Sequence, residues 1–169
     1  VKAVLIVSPT YEGRIADVEA IAQVVHEKGI PLIVDEAHGA HLGFSKDFAI
    51  NSSRLGADIS INSLHKTLPS MTQTALLHCN GKRVNREIVR KFLHIYQTSS
   101  PSYVLMAGME EAIDIAASGQ DKYDRFVGLW RKMLEQLKGC QNIRVLPDDY
   151  AECEQRKQDI GKLVLSVES

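Results

Sequence analysis

Apolar and polar residues alternate along this chain in blocks, and the period of each block predicts an element. Val1-Lys2-Ala3-Val4-Leu5-Ile6-Val7 is a nearly continuous apolar run of strand length, as expected for a strand covered on both faces in a parallel sheet. Ser8 to Gly13 breaks the run. Ile15, Val18, Ile21, Ala22 and Val25 then recur at helical spacing up to Lys28-Gly29, a basic last turn with glycine as stop. Pro31 to Asp35 repeats the buried strand and ends on acid, so the opening stretch reads as a βαβ unit with a right-handed crossover. A loop with two glycines, Glu36 to Phe44, leads to a short helical piece near Ser52 to Leu55 and a strand from Asp58 to Asn62. The alternation stops at Ser63, and Pro69 forbids regular strand beyond it, which predicts that Lys66 sits on a turn.

Gln73 to Cys79 reads as a further strand, closed by the turn pair Asn80-Gly81. From Asn85, the residues Ile88, Val89, Phe92 and Ile95 fall at helical spacing. Thr98-Ser99-Ser100-Pro101 interrupts, and a long helix is predicted from Pro101 toward Ser118-Gly119, with the proline in its first turn. Another helix is predicted from Asp121 to Lys138, with Phe126, Leu129, Trp130, Met133 and Leu137 forming a core-facing stripe. Ile143 to Leu146 and Lys162 to Val167 read as short strands separated by a charged connection, Pro147 to Asp159. The predicted class is α/β: a mostly parallel sheet with helices on both faces. The charged connection is the best boundary, giving a large domain over 1–147, then a connection and the start of a smaller domain over 148–169.

Composition narrows the function classes. The chain has 169 residues, 44% hydrophobic and 24% charged, which is ordinary globular composition. A net charge of -1 provides no basic field, so neither nucleic acid nor an anionic membrane is expected as partner. No apolar run approaches the ~20 residues of a membrane span. The three cysteines, Cys79, Cys140 and Cys153, lack metal-ligand spacing, and a reducing, cytoplasmic setting is expected. The chain opens inside an apolar run without an initiating Met, and is expected to be a piece of something longer.

Two residues carry the candidate chemistry. Ligands of parallel sheets bind beyond the carboxyl ends of the strands, and Asp35 and Lys66 each stand at or just past such an end. A lysine held near apolar surface there is expected to have a lowered pKa and a nucleophilic amine, suited to a Schiff base with a carbonyl. Ser63 and His65 accompany it. An amine to hold an aldehyde and a carboxylate to keep a pyridine nitrogen protonated are what pyridoxal 5'-phosphate needs from a protein. A metal site built from Asp35, Glu36, His38 and His41 is the alternative; it leaves Lys66 and Ser63 without a role, so no metal is expected.

Four motifs stand out, S-P-T-Y-E-G at Ser8 to Gly13, D-E-A-H-G-A-H at Asp35 to His41, S-L-H-K-T-L at Ser63 to Leu68 and T-S-S-P-S-Y at Thr98 to Tyr103, within a resemblance that covers most of the chain. With them the sequence resembles the pyridoxal-phosphate-dependent ornithine/lysine/arginine decarboxylases, of the aspartate-aminotransferase-like fold. D-E-A-H-G also occurs in related acyltransferases; S-L-H-K with T-S-S-P favours the decarboxylases. The resemblance implies that Lys66 carries the cofactor aldehyde as a Schiff base and that Asp35 pairs with the pyridinium nitrogen. It sets Ala37 against the ring, His38 at the ring hydroxyl, and Ser63 and His65 near the phosphate. Thr98 and Ser99 would reach the same phosphate from the neighbouring subunit of a homodimer or larger homo-oligomer. It further implies decarboxylation of a basic amino acid to the amine needed for polyamine synthesis. Lys66 or His65 would return the proton. Lysine, arginine and ornithine remain open as substrates; an aminotransferase or acyltransferase of the same fold is the runner-up, and this piece by itself is expected to be inactive.

Overall fold

The structure is a computed structural model that describes residues 1–146 and 158–167. Strands β1 (Val4–Val7), β2 (Leu32–Asp35), β3 (Ile59–Ser63) and β4 (Ala75–Cys79) form one sheet in that order. β1, β2 and β3 are parallel, and β4 returns antiparallel to β3 with Ser63 opposite Ala75. The architecture is thus mixed α/β with a mostly parallel sheet, as the alternation of buried runs and helical spacing predicts.

Helix α1 (Val18–Glu27) follows from its caps and its stripe. The Asp17 side chain accepts the Ala20 N–H at 3.1 Å, satisfying one of the free donors of the first turn. Val18, Ala22 and Val25 repeat on one face and bury against Leu32 and Val34 of β2, both wholly inaccessible. Burial of that kind contributes about 1.5–3 kcal/mol per large aliphatic side chain. A buried carboxylate closes the unit: Asp58 Oδ2 accepts from the Leu32 N–H at 2.9 Å and from His26 Nε2 at 2.8 Å. Arg83 Nη1 approaches its other oxygen at 3.5 Å.

Helix α2 (Leu64–Thr67) is a single helical turn, so Lys66 stands on helix and not on an open turn. Leu64 and Leu68 from it pack with Ala40 and with Ala116, Met109 and Ile113 of α4 (Tyr103–Ser118), a second cluster beside the first. Helices α3 (Arg86–Tyr96) and α5 (Gln120–Leu137) complete the set, and β5 (Ile143–Leu146) pairs antiparallel with β6 (Val164–Val167) in a separate two-stranded sheet.

Several expectations are corrected. β1 is an edge strand whose alternate residues Leu5 and Val7 are 63% and 50% exposed, so it is covered on one face only. The piece from Ser52 to Leu55 forms turns, not helix. Pro101 precedes α4, which is capped by Ser102 through its hydroxyl and the Leu105 N–H at 3.3 Å. On α5 the buried residue is Val127, while Phe126 and Leu129 of the expected stripe are exposed. Periodicity reports which side chains share a face; it does not report whether anything covers that face. The predicted charged connection lies outside the described residues except for Gln158 and Asp159.

Candidate functional site

The carboxyl ends of β1, β2 and β3 lie side by side, with Val7 opposite Asp35 and Asp35 opposite Ile61. The loops that leave them form the site. After β2 the chain turns at once: Asp35 Oδ1 accepts the Ala37 N–H at 3.1 Å, which fixes the carboxylate and sets Ala37 and His38 beyond it. Glu36 points the opposite way, as strand alternation requires. Its carboxylate accepts the Ser52 N–H at 2.8 Å and Asn62 Nδ2 at 3.0 Å, which ties the loop to β3. Burial pushes the Glu36 carboxyl up despite these donors and the nearby His41. The turn also needs Gly39, where a Cβ would lie 2.7 Å from both the Glu36 stem and Pro9.

His38 is where the charges of the site meet. Partial burial, then the ammonium groups of Lys66 and Lys162, lower its pKa, while Asp35 and Asp159 act in the opposite sense. The imidazole is therefore held neutral at neutral pH. Its ring lies edge-on to Tyr11, with centroids 5.3 Å apart, and its Nδ1 is buried without a hydrogen-bond partner. A buried ring nitrogen in that state suits a polar group brought by a ligand.

Ser63 ends β3 and precedes α2 with its hydroxyl uninvolved in capping. His65 Nδ1 lies 2.9 Å from the Thr74 carbonyl, which can only accept, so Nδ1 carries the proton and a neutral ring presents Nε2 as acceptor. Lys66 itself is exposed, so the apolar burial expected around its amine is absent here. Thr98 and Ser99 are exposed on the segment between α3 and α4, and Thr98 Oγ1 bonds only its own turn, with Ser100 O at 3.1 Å and Ser100 N at 3.2 Å. The structure therefore groups Asp35, Ala37, His38 and Lys66 around the strand ends, with Ser63 and His65 flanking Lys66. Thr98 and Ser99 stand apart on the surface.

Two further features escape sequence reasoning. His41 does not bond a loop carbonyl; its Nε2 lies 2.9 Å from Asp159 Oδ1, both buried. Lys162 Nζ lies 5.7 Å from the Tyr11 ring centroid. Neither pairing leaves a periodic signal, and only the acidic-basic spacing of Asp159 and Lys162 hints at them. Among the described residues no three His, Cys, Asp or Glu side chains are placed to hold a metal ion, so Asp35, Glu36, His38 and His41 do not converge as the metal alternative requires. No helix among them is long and apolar enough to cross a membrane.

Known proteins resemble this chain in sequence and in fold. An arginine decarboxylase of Bacillus subtilis is 32% identical, covering 99% of this chain and 35% of the relative. An uncharacterized protein YaaO of the same organism is 45% identical over 66% of this chain and 23% of its own length. The chain thus spans about a third or less of these relatives. Among solved structures, the constitutive lysine decarboxylase of E. coli superposes with a TM-score of 0.70 at 19% identity, covering 99% of this chain and 27% of that one. A cystathionine gamma lyase from Micromonospora echinospora gives 0.66 at 16% identity, covering 98% and 42%, so the two share the fold. The family model for the major domain of Orn/Lys/Arg decarboxylases matches residues 1–156, and the chain belongs to that family.

Proposed function

We propose that the intact protein is a pyridoxal-phosphate-dependent decarboxylase that converts a basic amino acid to its amine and carbon dioxide. The observation that carries this reading is the convergence of Asp35, Lys66 and a neutral, unpartnered His38 at the strand ends of a family member. Those residues fit the cofactor: a primary amine for the aldehyde, a carboxylate held in place by the Ala37 N–H for the ring nitrogen, and His38 Nδ1 for the ring oxygen. When bound, pyridoxal phosphate supplies an electron sink for the pair left on the α-carbon.

The remaining work falls to the chain. Lys66 Nζ is the primary amine that would hold the aldehyde of the cofactor. Asp35 is the carboxylate that would favour a proton on the pyridine nitrogen. Ala37 leaves room for a flat ring, the Ser63 hydroxyl would donate toward the phosphate, and His65 would stand beside it. Lys66 or His65 would supply the proton to the α-carbon. Thr98 and Ser99 serve the neighbouring subunit's phosphate in a homodimer or larger homo-oligomer, which accounts for their exposure here. The relatives named arginine decarboxylase put arginine first among arginine, lysine and ornithine to be assayed. A cytoplasmic setting and a large domain over 1–147 belong to the same reading.

The test uses the full-length protein loaded with pyridoxal phosphate. Borohydride reduction and peptide mapping should place the label on Lys66, and one of the three amino acids should release carbon dioxide. Label on another lysine would overturn the assignment of Lys66. A keto acid as product would make the protein an aminotransferase.

A further inference from the structure

Residues 158–162 are fastened onto the loops that leave β1 and β2. The Asp159 N–H donates to Gly13 O at 2.8 Å, Gln158 Nε2 donates to Glu12 O at 3.0 Å, and Arg14 and Gln158 form an antiparallel bridge. Asp159 Oδ1 accepts from both the Gly161 N–H at 2.8 Å and His41 Nε2 at 2.9 Å, with the Asp159 side chain fully buried. Gly13 has φ +93°, and a Cβ there would lie 2.7 Å from Lys162 Cβ; only glycine lets the two segments close this far. The result is that Lys162 arrives beside Tyr11, whose ring lies against His38. Its charge and that of Lys66 both act on that histidine.

We propose that Lys162 binds the α-carboxylate of the amino-acid substrate. The inference rests on the decarboxylase reading given above. A basic amino acid offers the site two cationic or amine groups and one anion, and only the anion is complementary to an ammonium. The carboxylate leaves as neutral carbon dioxide when its bond to the α-carbon breaks and the electron pair stays behind. The ion pair with Lys162 is therefore strongest before the reaction and fades along it, so it contributes affinity and not rate. Asp159 and His41 are positioning residues for Lys162 and touch no substrate.

The experiment compares wild type, Lys162→Met and Lys162→Arg in the full-length holoenzyme. The probes are whichever of arginine, lysine and ornithine the wild type turns over, and the amine that results from it. With Lys162→Met, KM for the amino acid should rise about 10- to 100-fold, the loss of one charge-assisted hydrogen bond, with kcat unchanged or higher. The inhibition constant of the amine, which lacks the carboxylate, should not move, and Lys162→Arg should recover most of the affinity. Equal weakening of amino acid and amine would show that Lys162 only shapes the site, and overturns the proposal. So does an unchanged KM, or a loss of retained cofactor, which would assign the ammonium to the phosphate. A wild type that turns over none of the three amino acids removes the decarboxylase reading itself, and this inference with it.

Discussion

Asp35 and Glu36 are adjacent carboxylates with opposite fates, because consecutive residues leaving a strand face opposite ways. Asp35 stays half-buried at the site, while Glu36 is 2% exposed and bonded to Ser52 and Asn62. Burial raises the Glu36 pKa above its ordinary 4.5. Between 4.5 and that raised value the folded protein binds more protons at this position than the unfolded chain does, so its contribution is complete below 4.5 and is lost as pH rises. Wild type should therefore lose stability relative to Glu36→Gln as pH is raised from 4 through neutrality, read as diverging urea midpoints. A gap independent of pH would mean that the donors cancel the effect of burial, and a gap that moves in favour of wild type would mean that they outweigh it. Asp35 was legible in the sequence because an apolar run ends on it. The role of Glu36 was not, since its partners come from two other stretches of chain.

At the scale of elements, Asp58 joins the end of α1 to the start of β2. Its carboxylate accepts from the Leu32 N–H and from His26, and Arg83 stands at its other oxygen. Asp58→Ala leaves a buried backbone donor and an imidazole without their acceptor, at about 1–3 kcal/mol for each group left unpaired. The variant should unfold at a lower urea concentration, and amide exchange should quicken over the last turn of α1 and at Leu32 before it does in β3. Uniform exchange throughout would mean that Asp58 does not bind these two elements in particular. The elements themselves were largely legible: α1, β2, β3 and β4 each announce themselves by period and by a capping or turn residue. What period could not convey is coverage. β1 reads as fully buried and is half-exposed, and the stripe on α5 reads as core while Phe126 and Leu129 face outward. The candidate site divides in the same way. Strand ends and the Ser-x-His-Lys spacing expose Asp35 and Lys66, whereas Asp159 meets His41 across 118 positions and no local pattern records it.

The molecule as a whole presents apolar surface on its helical side. No residue of α3 is buried, and Ile88, Phe92 and Ile95 are 53%, 53% and 60% exposed along one stripe. Along α4 runs an open groove of about 550 Å³ lined by residues that include Tyr103, Met106 and Ile113. Thr98 and Ser99 lie on the segment joining these helices, where a neighbouring subunit would meet them. If sites are shared, mixing a full-length Lys66→Ala protein with one in which Thr98 and Ser99 carry bulky replacements should restore roughly a quarter of wild-type activity, through hybrid dimers with one intact site. No recovery after demonstrated subunit exchange would mean that each site is complete in its own chain. The fastening of residues 158–167 has a different consequence. They hold to the rest through β5, Gly13 and His41, by contacts that need no continuous backbone. The peptide link between Leu146 and Gln158 keeps this strap at a high local concentration. A single proteolytic cut in that link would therefore turn an internal fit into a two-body association that dilution can reverse.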